Sequence, residues 1–258
     1  MASAVNQTNL PAVDEPRSRL RHWLRLDPAR LLWPSRCLSC EGPGLDGIDL
    51  CAACAATLPW NRCACPRCAI PLPASAVCGD CLRREAALAR RGRHASLGAV
   101  HAACVYAAPI DRLLPRFKFH RDLAAGALLA QLMAEAFAPL PRPQALIPLP
   151  LHRARLRRRG YDQALELARP LAHALDLPLR DDLLYRVRAT APQSELSAAA
   201  RRRNLRHAFA VRETAVTPTH VVLIDDVMTT GATLRAAAEA LQRAGVARAD
   251  AWVAARVP

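Results

Sequence analysis

Two groups of residues in this chain have types and spacings that suit chemistry. The first runs from 225 to 233, Asp225-Asp226-Val227-Met228-Thr229-Thr230-Gly231-Ala232-Thr233, directly after the apolar run Val221-Val222-Leu223-Ile224. Two adjacent carboxylates accept hydrogen bonds from the hydroxyls of a sugar and are unsuited to gripping phosphate. The Thr229–Thr233 segment has the opposite character: hydroxyl donors, small side chains, and a glycine that lets backbone N–H groups approach an anion closely. A phosphate cradle beside a diol-binding acid pair describes a site for a ribose 5-phosphate.

The second group is four CxxC knuckles: Cys37 with Cys40, Cys51 with Cys54, Cys65 with Cys68, and Cys78 with Cys81, separated by 10, 10 and 9 residues. Each knuckle sets two thiolates at tetrahedral spacing, and two knuckles close a structural zinc site with no ligand position left open. Eight cysteines thus provide for two structural Zn²⁺ ions. The even spacing allows sequential or interleaved pairing; sequential pairing closes the shorter loops. Cys63 falls outside the register, and Cys104 reads as a core residue. Cys81, His94 and His101 brush against a finger-like spacing, but the gap between the histidines is too long. Arg62, Arg67, Arg83 and Arg84 make a candidate basic surface on this module.

These groups need elements to hold them. Residues 220–224 read as a buried parallel strand, and Leu234–Ala244 as the helix that follows the phosphate turn. Further strands are expected at Ala99–Ala107, at Ala145–Leu149 and near Asp250–Val257, with a strand or hairpin edge at Ala208–Val211. Helices are expected at Leu123–Phe137, from Ala164 to Leu175, and at Gln193–Asn204 with its Arg201-Arg202-Arg203. Pro150–Gln163 reads as a basic loop, with His152 and five arginines between 152 and 159. The alternation predicts a doubly wound α/β parallel sheet, in which the basic loop and the acid–threonine turn meet beyond the carboxyl ends of the strands. Arginine forks suit a polyphosphate. The domain organisation expected is a tail with short amphipathic turns at 1–33 (Leu20, Trp23, Leu24, Leu31, Leu32), a double zinc ribbon at 34–82, a helical linker at 83–98, and the α/β domain at 99–258.

Composition limits the setting. The first twenty residues lack an apolar core, so no secretory signal is expected. No apolar run approaches the roughly 18 residues of a membrane span. A cytoplasmic location, where thiols stay reduced, follows as the expectation. The net charge is +14, falling to about +10 once eight thiolates hold two zinc ions. That balance permits nucleic acid as a partner, although four Trp, three Tyr and four Phe offer little surface for stacking bases. Nearly all the positive charge is arginine, and Lys118 is the single lysine. A lone ammonium in such a chain marks a place where a guanidinium is too large.

The stretch 221–233 resembles the phosphoribosyl-pyrophosphate (PRPP) motif of type I phosphoribosyltransferases: apolar run, two acids, two variable residues, two hydroxyl residues, Gly, one variable residue, Thr. More of the chain is similar to the ComF family, named for a competence protein of natural transformation. The similar pieces occur in order. They are Pro34–Cys40, the double ribbon, Tyr106, Leu114–Phe119, Pro148–Leu151, Arg159-Gly160-Tyr161-Asp162-Gln163, Gln193 with Leu196, Arg202 with Asn204, Ala208-Phe209, and the PRPP motif. One departure is Asp162, where the family usually has Asn.

The resemblance implies a sheet of the type I phosphoribosyltransferase class preceded by a small double zinc ribbon. It implies that Asp225 and Asp226 hold the ribose hydroxyls and that 227–233 hold the 5-phosphate. Lys118, Arg159 and Gly160 would then contact pyrophosphate, with Mg²⁺ accompanying PRPP. The activity implied is transfer of phosphoribosyl to a nitrogen acceptor, with a role in DNA uptake and single-stranded DNA or a competence helicase or uptake protein as partner. Two other readings use the same residues: a non-catalytic PRPP or nucleotide sensor, and an accessory protein that binds single-stranded DNA or a helicase.

Overall fold

The computed structural model describes residues 35–45, 47–187, 208–213 and 217–258. The amphipathic turns expected at 20–32 and the helix expected at 193–204 lie outside the described residues. In chain order the elements are α1 (Ala52–Ala56), α2 (Gly79–Ala89), β1 (Val100–Val105), α3 (Ile110–His120), α4 (Leu123–Phe137), β2 (Ala145–Pro148), α5 (Arg153–Arg159) and α6 (Gln163–Leu175). They continue with β3 (Leu184–Arg186), β4 (Phe209–Val211), β5 (His220–Met228), α7 (Ala232–Arg243) and β6 (Arg248–Arg256). The doubly wound parallel sheet is present, with strand order β1-β6-β5-β2 and every pair parallel.

Alternation along the two central strands sorts the core into two faces. Val222 and Ile224 of β5, with Trp252 and Ala254 of β6, pack with α3, α4 and α6. Val221 and Leu223, with Ala251 and Val253, pack with α7 and the small antiparallel hairpin β3–β4. Trp252 meets Phe137 of α4 at a ring separation of 4.9 Å. The alanine-rich sequence of β6 leaves room for helices on both sides, and seven of its nine residues are buried.

The cysteine knuckles pair sequentially. The Sγ atoms of Cys37, Cys40, Cys51 and Cys54 lie within 4.8 Å of one another, as do those of Cys65, Cys68, Cys78 and Cys81. The first half of each ribbon repeats the same turn. Cys37 N–H donates to the Gly42 carbonyl and Glu41 N–H to the Cys37 carbonyl; Cys65 N–H donates to Ile70 and Ala69 N–H to Cys65. Glu41 and Ala69 both take positive φ, at 64° and 54°. The second knuckle of each ribbon opens a helix, α1 after Cys51 and α2 after Cys78. The expected linker helix therefore starts within the last knuckle.

The two ribbons clasp the sheet from opposite faces. Cys37, Ile48, Leu50 and Leu58 belong to the core under α3 and α4, whereas Cys65, Cys68 and Cys81 belong to the core under α7. Between the ribbons the chain lies along the edge strand β1: Val105 N–H donates to Pro59 (2.7 Å) and Asn61 N–H to Ala103 (3.0 Å). An edge that would otherwise offer unpaired groups is thereby covered.

Removing zinc with a chelator is expected to lower the melting temperature of the whole chain by about 10 °C or more, in one transition, because several kcal/mol are withdrawn from both cores. Far-ultraviolet dichroism and tryptophan fluorescence should move together. A sheet signal that melts at its original temperature after chelation contradicts this coupling.

Candidate functional site

The site forms where β5 outruns its neighbour. β2 pairs with β5 only as far as Pro148 opposite Ile224, whereas β5 continues to Met228 against β6. The acids were expected just past the strand; instead Asp225 and Asp226 lie within it, because β6 supplies pairing partners to its end. β2 leads to helices on one face of the sheet and β5 to α7 on the other, so a crevice opens between the carboxyl ends of these strands.

Asp226 is only 5 % exposed. Its carboxylate is met by the Lys118 ammonium, with Nζ 2.9 Å from Oδ2 and 3.3 Å from Oδ1. Val227 N–H donates to Asp226 Oδ1 at 2.7 Å, and Asp226 N–H to Asp225 Oδ1 at 2.9 Å. Burial, then the neighbouring Asp226 charge, push the Asp225 carboxyl up to about 8, against the pull of Lys118. One carboxylate is thus paired with a cation while its neighbour tends to keep its proton.

Lys118 is held in place through its own helix. Phe117 is fully buried and packs on Gly126, where an added Cβ would lie 2.5 Å from the ring. The Tyr161 hydroxyl donates to the Phe117 carbonyl, and the two rings are 5.8 Å apart. Arg116 donates to Asp122 Oδ2 and, at 2.6 Å, to the Leu38 carbonyl of the first ribbon. Zinc module and acid pair therefore meet at one helix. Asp162, the unusual acid, uses both oxygens as acceptors: Oδ1 from Ala164 and Leu165 at the start of α6, Oδ2 from Leu151 at 2.9 Å. An asparagine there would offer at most one of these oxygens.

The 229–233 turn opens α7 through a glycine. Thr229 and Thr230 are exposed, and Gly231 takes φ 69° directly before α7. A Cβ on Gly231 would sit 2.3 Å from Met228 Cε, so both its conformation and its space require glycine. Ala232 N–H reaches Thr230 Oγ1 at 3.4 Å, and Arg235 donates to the Thr230 carbonyl at 2.6 Å.

The basic segment departs from expectation. Residues 153–159 form the helix α5, capped by His152 Nδ1 accepting from Ala154 N–H and closed by Gly160 at φ 87°. Arginine is a good helix former, and the cap and glycine stop supply both ends. Arg159 donates to Gln163 at 2.7 Å and lies over the Phe119 ring at 5.6 Å. Gly160 packs beside Arg121. Among the described residues neither has a hydrogen bond or ion pair with the acid pair. A cation that sequence reading missed is Arg186 of β3, which stacks over Phe209 and interacts electrostatically with Arg155 and Asp225. Its alternation (Tyr185-Arg186-Val187) was the available signal.

The ribbon arginines do not form one patch. Arg67 pairs with Glu85 at 2.9 Å, Arg83 pairs with Asp80, and Arg62 lines a cavity of about 440 Å³ with Glu135 and His101. Cys63 is exposed and outside both tetrads; Cys104 is buried in the core, its thiol pushed up to about 12 by burial.

The tetrads fit zinc. Burial opposes ionisation of Cys37, yet N–H groups of Cys51, Cys40 and Ser39 bring its thiol down to about 6. Cys65 is brought to about 7 in the same way, by Cys78, Arg67 and Cys68. Sulfurs ringed by backbone donors are suited to carry thiolate charge.

Residues 29–82 match the family described as a double zinc ribbon domain, and residues 162–258 match the phosphoribosyl transferase domain. The chain is 35 % identical over 227 residues to the DNA utilization protein YhgH of Salmonella typhi, covering 85 % of this chain and 96 % of the relative. It is 34 % identical over 234 residues to competence protein F of Haemophilus influenzae, covering 86 % and 96 %. The chain belongs to the ComF family. A more distant member, competence protein ComFC of Bacillus subtilis, is 28 % identical over 190 residues, covering 71 % of this chain and 73 % of that protein. Membership accounts for a cysteine-tetrad module and a phosphoribosyltransferase-type sheet in one ComF chain. Among the described residues no helix is long and apolar enough to cross a membrane.

Because Asp225 keeps its proton to a higher pH when folded than unfolded, the folded state binds more protons between about pH 4 and pH 8. Its contribution to stability therefore diminishes as pH rises through that window. Asp225→Asn should flatten the slope, which urea midpoints at pH 5 and pH 8 will reveal. A variant with the parent's slope places the titrating group elsewhere.

Proposed function

We propose that this ComF-family chain binds PRPP with Mg²⁺ and transfers its phosphoribosyl group to a nitrogen acceptor, in the service of DNA uptake or the use of external DNA. The observation that carries the reading is the acid pair at the open end of β5, with a lysine on one side and a glycine-closed threonine turn on the other. Ribose hydroxyls would donate to Asp225 and Asp226, and the 5-phosphate would take the N–H groups and hydroxyls of 227–233. Lys118 would leave Asp226 to meet pyrophosphate. The described residues offer no carboxylate cage for Mg²⁺: Asp226 already accepts from Lys118 and Val227. This fits an ion held mainly by substrate oxygens, where it neutralises the leaving group.

In the reaction the bond between C1 and the pyrophosphate oxygen breaks, and pyrophosphate leaves with the electron pair. The acceptor nitrogen forms the new bond to C1 and gives up its proton to solvent. Carboxylates near the ring stabilise the positive charge that develops at C1, and alignment supplies much of the rate. Arg186, close to Asp225 electrostatically, is a candidate to steady the departing charge.

A specific observation favours a second reading. Arg159 spends its guanidinium on Gln163 and Phe119 and would have to leave them to join a pyrophosphate clamp. Binding without turnover, as in a nucleotide sensor, fits that arrangement. The exposed arginines of α5 and the basic balance support contact with single-stranded DNA or an acidic helicase partner, and the names of the relatives agree with such a setting. Cytoplasmic location goes with this reading.

Calorimetry with PRPP and Mg²⁺ tests the site. The double variant Asp225→Asn, Asp226→Asn should lose detectable binding. Lys118→Ala should weaken it about tenfold or more, as for loss of a charged hydrogen bond. Unchanged affinity in the double variant would sink the assignment. Release of pyrophosphate with an added acceptor separates the enzyme from the sensor.

A further inference from the structure

Strand β1 lies at the opposite edge of the sheet from β2, with β6 separating it from β5. After Pro59 the chain touches this edge at two points. Asn61 N–H donates to the Ala103 carbonyl, and Val100 N–H donates to the Pro66 carbonyl at 2.9 Å. Between these points the chain takes five residues where β1 takes three, so it bows away from the strand. The cavity of about 440 Å³ opens there, bounded on another side by the end of α4. Neither the acid pair, Lys118 nor the 229–233 turn lines it. The second tetrad contributes one wall residue, the fully buried Cys65, while Cys68, Cys78 and Cys81 do not line it. A zinc ion held by those four sulfurs therefore lies behind the wall and outside the space.

The walls divide by chemistry. Trp60, Ala136 and Leu140 are half-buried and give apolar surface. Glu135 of α4 and His101 of β1 line the same space, and among the described residues neither side chain has a hydrogen bond or ion pair. Burial pushes the Glu135 carboxyl up, against the pull of Arg62, and pushes the His101 imidazole down, so both favour the uncharged form. Asn61 adds a further acceptor. Its Nδ2 donates to the Ala69 carbonyl at 2.8 Å, which fixes the amide and leaves Oδ1 buried without a partner among the described residues. Acceptors held away from water without donors are costly. The wall is therefore short of N–H donors, in a space within the range of about 300 to 1,000 Å³ that small-molecule sites occupy.

We propose that this cavity is a ligand site, separate from the acid pair, for a neutral planar molecule of nucleoside size whose edge carries adjacent N–H donors. A guanine-type base has such an edge, with a ring N–H beside an exocyclic amino group. Those donors meet the Glu135 carboxyl, and two charge-assisted hydrogen bonds offset the burial of its ionised form. The ring rests against Trp60 and Leu140, and the exposed Arg62 stands at the mouth. The connection between the ribbons thereby contributes a binding surface as well as cover for β1. The site stands whether or not PRPP occupies the crevice at β5.

The test is titration calorimetry of the full zinc-loaded chain with guanosine and with inosine, which lacks the exocyclic amino group. Guanosine should bind, and inosine should bind about tenfold more weakly or worse, as for loss of one charged hydrogen bond. Glu135→Leu should weaken guanosine binding by a similar factor. Ala136→Phe, which fills the cavity from a half-buried position, should abolish it, with melting temperatures level in both variants. The double variant Asp225→Asn, Asp226→Asn should bind guanosine as the parent does. The proposal is overturned if guanosine fails to bind, if inosine binds equally well, if Glu135→Leu or Ala136→Phe leaves guanosine affinity as it was, or if the acid-pair variant loses it. Failure of PRPP to bind the parent, with guanosine binding still dependent on Glu135, counts against the phosphoribosyl reading alone.

Discussion

Of two neighbouring carboxyl groups at the end of a buried strand, the one that stays ionised needs a cation against it, and here the other tends to keep its proton. The Lys118–Asp226 pair, 2.9 Å long with Asp226 nearly inaccessible, is the answer this chain provides. Much of the architecture serves that one contact. Phe117 anchors the helix from below, Tyr161 ties its last turn to the start of α6, and Arg116 connects it to the first ribbon. A buried pair of this kind adds little net stability, since desolvation offsets attraction, but breaking it leaves an uncompensated charge. A ligand able to satisfy both partners at once, with hydroxyls for the acids and phosphate for the ammonium, could replace it without that penalty.

The zinc module belongs to the same logic. A four-stranded parallel sheet needs cover on both faces and protection at its edges. Here the helices cover part of each face, and the ribbons complete the rest, one on each side, with residues 59–61 lying along β1. Thiolate sites closed by short loops give rigid surfaces from few residues. The consequence is that the helix bearing Lys118 and the turn at 229–231 each lean on a different ribbon.

Much of this was legible in sequence for identifiable reasons. Leu123–Phe137 was read to the residue because an aspartate cap precedes a continuous apolar run and prolines follow it. The knuckles pair sequentially, as loop closure favoured. The end of β5 was misjudged because acids look like a strand terminator, whereas β6 pairs with it through Met228. The segment 150–163 was read as loop because its charge hid a short capped helix. β3 went unseen because its partner β4 is distant in the chain, and so the position of Arg186 was missed as well. Local signals located the glycine-closed turn before α7; contacts across the sheet decided which cations reach the acids.

The most direct test of the central claim is a crystal structure of the zinc-loaded chain with PRPP and Mg²⁺. The account predicts ribose hydroxyls on Asp225 and Asp226, the 5-phosphate on the 229–233 turn, and Lys118 moved from Asp226 to the pyrophosphate. Ligand density elsewhere, with Lys118 still paired to Asp226, would contradict it.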